Sequence, residues 1–89
     1  MRMFSPGPGA MLPRDAIVGI FDLDTATVSG HTRDFLRRAQ EAGEVTAVGE
    51  ELPQSFIVAS ASVGESVKNY IYLLPQSSAN LSKKLLTTP

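Results

Sequence analysis

The chain has 89 residues, a mass of 9.5 kDa, 43% hydrophobic and 19% charged residues, and a net charge of −1 with a pI near 5.7. That suits one globular domain, not a disordered segment, and folding would hide roughly 60–65% of the surface the unfolded chain exposes, which makes a thin core. Without cysteine, disulfides, thiolate metal sites and cysteine nucleophiles are excluded, and at this charge any nucleic-acid binding must come from local clustering or oligomer geometry.

No apolar run approaches the roughly 18–20 residues of a membrane span. Residues 1–12 carry Pro6 and Pro8 where a signal peptide would have an apolar stretch of about 7–15 residues. A cytoplasmic address and no membrane partner are therefore expected.

In chain order, residues 1–13 come first and are rich in turn formers, with Pro6-Gly7-Pro8-Gly9 at their centre. Each proline removes a donor and fixes φ, so an irregular N-terminal segment is expected, either a loop or a distorted edge strand. Ala16-Ile17-Val18-Gly19-Ile20-Phe21 is a continuous apolar run closed by Asp22. Its length and β-branching predict a strand buried on both faces.

Ser29 offers an N-cap for a helix over residues 30–42, in which Phe35, Leu36, Ala39 and Ala42 share a face. Gly43 suits a left-handed residue just past the helix end. Asp34 with Arg38, and Arg37 with Glu41, are i,i+4 pairs of opposite sign, each contributing ~0.3 kcal/mol. Arg33, Arg37 and Arg38 crowd the outer side.

A short strand is predicted over 45–48, a turn at Glu50-Glu51-Leu52-Pro53, and a better strand over 55–59. Gly64-Glu65-Ser66 reads as a hairpin connection of open register, and the last strand spans 69–74 before Pro75. Ser77 or Ser78 can cap a short helix through residue 85, with Leu81 and Leu85 inward and Lys83 and Lys84 near its negative end. Residues 87–89 are expected to fray. The fold class that follows is α+β. Residues 1–89 form a single domain, a small mixed and mainly antiparallel sheet with one central amphipathic helix and a short C-terminal helix.

Asp22-Leu23-Asp24, at the end of a hydrophobic strand, resembles the nucleophile motif of haloacid dehalogenase phosphatases, where the first Asp attacks phosphorus and the second handles the leaving-group proton. The sequence departs from that pattern. Ala26 stands where Thr or Val is required, the lysine and second acidic pair have no counterpart, and the chain is too short for the parallel sheet. The two carboxylates read instead as the polar exit of a buried strand. His31 is the only histidine and reads as an exposed polar residue, so one chain cannot build a His-rich metal site. No serine lies in a G-x-S-x-G elbow, and the glycines match neither a phosphate loop nor a dinucleotide fingerprint. No catalytic residue, cofactor, metal or small-molecule substrate is expected, and the chain does not read as an enzyme. Tyr70 and Tyr72 share one strand face, a pattern of core or subunit contact more than of base stacking.

Four blocks occur in order: Arg14-Asp15-Ala16-Ile17-Val18-Gly19-Ile20-Phe21-Asp22-Leu23-Asp24, Thr32-Arg33-Asp34-Phe35-Leu36-Arg37-Arg38-Ala39, Leu52-Pro53-Gln54-Ser55-Phe56-Ile57-Val58 and Ser77-Ser78-Ala79-Asn80-Leu81-Ser82-Lys83-Lys84. Together they are similar to the small bacterial extracellular matrix regulator family, especially its RemB-like branch, over residues 14–85. The resemblance implies a compact α+β subunit. Its RemA-like relatives are DNA-binding activators of biofilm-matrix genes that assemble into rings, so it also implies a DNA-binding transcriptional regulator acting as a ring-like homo-oligomer. A few arginines repeated around a ring form a basic belt that one weakly acidic chain does not advertise.

The DNA-binding branch has arginines in the turn before the 55–59 strand, where this chain has Glu50 and Glu51. Ala16 stands at its basic position entering the first core strand. Candidate phosphate contacts are therefore read from this chain alone: Arg14, Arg33, Arg37, Arg38, Lys83 and Lys84. A DNA-binding role predicts that the helix arginines and the Lys83-Lys84 pair fall on one outer surface. The competing reading is a solvated face pairing with Asp34 and Glu41. It belongs to an oligomeric protein-interaction or structural module that does not bind DNA.

Overall fold

The computed structural model describes residues 2–87 apart from Pro8 and Thr27. A hairpin of β1 (Met3–Gly7) and β2 (Ala10–Pro13) leads through a 3-10 turn (Arg14–Ala16) into β3 (Ile17–Asp22). Helices α1 (Leu23–Ala26) and α2 (Gly30–Glu41) follow, then β4 (Val45–Ala47), the long strands β5 (Ser55–Val63) and β6 (Ser66–Leu74), and α3 (Ser78–Thr87). The main sheet has the order β3-β5-β6-β4 and is antiparallel except for β4, which runs parallel to β6. This is the α+β class expected from the sequence, with α2 as its amphipathic helix and α3 as its C-terminal one.

The period-2 alternation along β5 divides the core. Phe56 and Val58 point to one face of the sheet, Ile57 and Ala59 to the other. On the first face, α2 packs Phe35, Leu36 and Ala39 against Phe56 and Ile71. On the second, the hairpin contributes Phe4, Ala10 and Leu12, and α3 contributes Leu81, against Ile57, Ala59 and Leu74. Ile57, Ile71 and Leu74 are fully buried, each side chain contributing about 1.5–3 kcal/mol by leaving water.

Residues 1–13 are not a loop; they form a distorted edge hairpin, the second of the two forms expected. β1 and β2 pair antiparallel, with Phe4 opposite Leu12 and Gly7 opposite Ala10, and the register slips between those pairs. Pro6 sits inside the slip, where a missing donor does least harm, and is fully buried. The burial of Phe4 and Leu12 outweighed the proline content. The expectation for Pro8 lies outside the described residues.

Nor is the first core strand buried on both faces. It begins at Ile17, with Ala16 in the preceding turn, and forms one edge of the sheet, where Val18 is 67% and Phe21 43% exposed. In α2, Ser29 occupies the N-cap position but its side chain makes no capping bond. Ala42, expected on the buried face, is the C-cap and is exposed. Gly43 follows with φ 75°, as a left-handed terminator should.

β5 and β6 run further than their apolar cores predict. Their ladder continues to Val63 opposite Ser66 and closes through Gly64-Glu65. Gly64, at φ 63°, fits the first position of a II′-type two-residue turn. Ser77 caps α3, its Oγ accepting the Asn80 amide at 3.2 Å, and the helix continues past Leu85 to Thr87. Thr88 and Pro89, expected to fray, lie outside the described residues. Among the described residues no helix is long and apolar enough to cross a membrane.

Candidate functional site

The basic cluster is built by α2. Because α2 buries Phe35, Leu36 and Ala39, helical periodicity turns Arg33, Arg37 and Arg38 outward, and all three are exposed. Their local contacts differ from the expected i,i+4 pairs. Arg37 Nη2 lies 3.3 Å from Asp34 Oδ1, an i,i+3 pair, and does not turn to Glu41. Arg38 Nε donates to the Asp34 carbonyl at 3.4 Å, and Arg33 Nη1 to the Val28 carbonyl at 3.3 Å. Both partners of the Asp34 pair are more than 60% exposed, so it holds Arg37 by well under 1 kcal/mol. A phosphate can outcompete such a contact.

Lys83 and Lys84 are also exposed, but on α3, across the sheet from α2. The structure therefore does not gather the two basic groups on one face. Arg14 is half-buried in the turn between hairpin and β3, its amide donating to the Arg2 carbonyl at 3.0 Å. Glu50 and Glu51 are exposed in the loop between β4 and β5, at the end of the sheet where Ser55 faces Leu74.

A second feature lies on the α2 face. The helix covers Phe56 and Ile71 but leaves the sheet bare beyond them, and a groove of about 480 Å³ opens there. Phe21, Phe35, Phe56 and Val58 supply its apolar walls; His31 and Thr32 line it from the first turn of α2. Phe21 and Phe56 stack with ring centroids 5.2 Å apart. The groove reaches the Ser60–Asn69 pair, and from there the β5–β6 hairpin projects as an arm whose residues 61–70 are all exposed.

The sequence reading missed both groove and arm. Serines 60, 62 and 66 look like loop residues, yet the alternation of Val58, Ser60 and Ser62 against Ala59, Ala61 and Val63 carries the strand period on to the turn. Tyr70 and Tyr72 do share a face: Tyr72 packs on the hairpin-side core, while Tyr70 is 36% exposed beside Met11. Asp22 ends β3 opposite Ser55, and Asp24 is exposed in α1. Among the described residues no cluster of three or more His, Asp or Glu could hold a metal ion. No family model matches the chain, and no curated protein or solved structure is significantly similar to it.

Proposed function

We propose that the chain is a self-assembling cytoplasmic subunit whose homo-oligomer binds DNA as a transcriptional regulator of the extracellular matrix kind, to which its sequence blocks bear a resemblance. The observation that carries this reading is the exposed set Arg33, Arg37 and Arg38 on the outer side of a 12-residue helix, with Arg37 in a solvent-exposed ion pair and Arg38 on a long bond to a backbone carbonyl. Repeated by rotational symmetry, such a set becomes a belt that follows a phosphate backbone, although one subunit carries a charge of −1. The exposed Val18, Phe21, Val63 and Val67 support the assembly that such a belt needs.

Two observations favour a second reading, an oligomeric interaction module without DNA. Lys83 and Lys84 lie across the sheet from the arginines, and the Glu50-Glu51 loop repels phosphate.

Light scattering during size-exclusion chromatography, with and without a short duplex at low and moderate salt, separates the readings. A ring-sized oligomer that takes up duplex and releases it as salt rises supports the regulator. An oligomer that ignores duplex at low salt leaves the interaction module.

A further inference from the structure

We propose that the apolar groove receives the hairpin arm of a second copy of this chain, the two copies related by a two-fold axis so that each fills the other's groove. The proposal rests on the self-assembly proposed above and names one of its contacts, a two-fold one that closes a dimer; a ring of such dimers needs a second, different contact. A lone two-stranded ribbon is marginal in water, yet this one keeps its pairing out to Val63 and Ser66, with every residue of its two strands beyond Ser60 and Asn69 exposed. It exposes Val63 and Val67, at 51% and 68%.

Orientation selects the occupant. Val67 pairs with Ser62, so by strand alternation it lies on the sheet face that carries Ser60, Val58 and Phe56. That is the face of the groove, and the groove begins at the base of the arm. Two arms laid antiparallel with these faces together bring each Val67 toward the other copy's phenylalanines. The same patch is used twice, as a two-fold contact requires. The serines at 60 and 62 keep the ribbon surface low, which permits close approach.

Charge points the same way. The first turn of α2 forms a groove wall, carries no acidic residue, and receives no side-chain cap from Ser29. Its orphan amides and the helix dipole leave that wall positive. Glu65, at the tip of the arm, is the carboxylate that a second copy would bring there. Of the paired arm residues only Ser62, Val67 and Asn69 share the groove's face of the sheet, so the contact is a small one in which Val67 supplies most of the arm's apolar surface.

The chain has no cysteine, so single introduced thiols report proximity directly. Glu65→Cys and His31→Cys proteins, alone and mixed, are treated with a short bis-maleimide, and Val67→Asp is sized beside wild type by light scattering. Expected are an oligomeric wild type, a cross-linked dimer abundant in the mixture, and a dissociation constant raised about tenfold or more by Val67→Asp. Circular dichroism checks that Val67→Asp is folded, and the cross-link does not depend on that variant. An oligomer indifferent to Val67→Asp and without the mixed cross-link overturns this contact but leaves self-assembly standing. A wild type that stays monomeric at high concentration overturns both.

Discussion

The tip of the Phe21 ring reaches back over Gly19, two residues earlier on the same face of β3. A Cβ built on Gly19 would stand 2.7 Å from Phe21 Cζ. Gly19 is not in a left-handed conformation, so its lack of a side chain serves the ring and not the backbone.

Gly19→Ala should therefore displace Phe21 from its stack on Phe56. Because the clash is with the tip of a ring that is 43% exposed and can swing aside, the change should destabilise the fold by no more than about 1 kcal/mol. In a Phe21→Ala background the clash is gone, so the same change should cost much less. A double-mutant cycle by urea denaturation measures the coupling. If the two effects simply add, the ring does not depend on Gly19.

Hairpin, sheet and α3 meet at a polar junction. Ser55 is fully buried and its Oγ donates to the Gln76 carbonyl at 2.7 Å; Gln76 Nε2 donates to the Pro6 carbonyl at 3.3 Å. Ser55→Ala leaves that carbonyl short of a donor and should cost about 1–3 kcal/mol. Gln76→Met loses one weak bond but also removes Oε1, which is buried without a partner, so its net effect should stay within about 1 kcal/mol. Denaturant midpoints of the two variants, compared at equal slope, test the ordering.

Burial and separation decide how the charged candidates should behave. Replacing Arg33, Arg37 and Arg38 together by Ala should weaken duplex binding at every sequence. It should also reduce the slope of log affinity against log salt by roughly 0.9 for each phosphate that the variant no longer neutralises. Replacing Lys83 and Lys84 should leave both quantities near wild type, because α3 lies across the sheet from α2. Fluorescence anisotropy at several salt concentrations reads both. Equal weakening by the two sets of substitutions would place DNA around the whole subunit, not along α2.

What the sequence made legible follows the strength of its periodic patterns. Phe35, Leu36 and Ala39 recur at helical spacing before Gly43, and α2 formed within a residue of the expected span. The α3 cap at Ser77 and the order of the later strands were likewise readable. The N-terminal hairpin was not, since its residues match no period and Pro6 argues against a strand. Only the partnership of Phe4 and Leu12 with Ile57, more than 40 residues away, makes it form. The separation of Arg37 from Lys83 was equally hidden. It depends on which face of one sheet each helix covers, and that is a tertiary fact. The groove was invisible for the same reason, because it is the part of the sheet that α2 happens not to reach.

The hairpin also yields the sharpest test of the core. Phe4 is fully buried among Leu12, Ile57 and Leu74, in a segment whose composition reads as loop. A loop residue changed to Ala would alter stability by no more than about 0.5 kcal/mol. Phe4→Ala should instead cost about 3–5 kcal/mol, a large share of the 5–15 kcal/mol that holds a typical domain. Gly7→Ala attacks the same seam from the backbone, because its Cβ would stand 2.8 Å from Val48 Cγ1. Val48 is itself buried and cannot swing aside, so the hairpin must lift. Trimming Val48 to Ala as well would open room for the new methyl, and Gly7→Ala should then cost less than it does in wild type. Thermal melts of wild type, Phe4→Ala, Gly7→Ala, Val48→Ala and the Gly7→Ala/Val48→Ala double variant decide the matter. A Phe4→Ala protein as stable as wild type would mean that the hairpin is no part of the cooperative core.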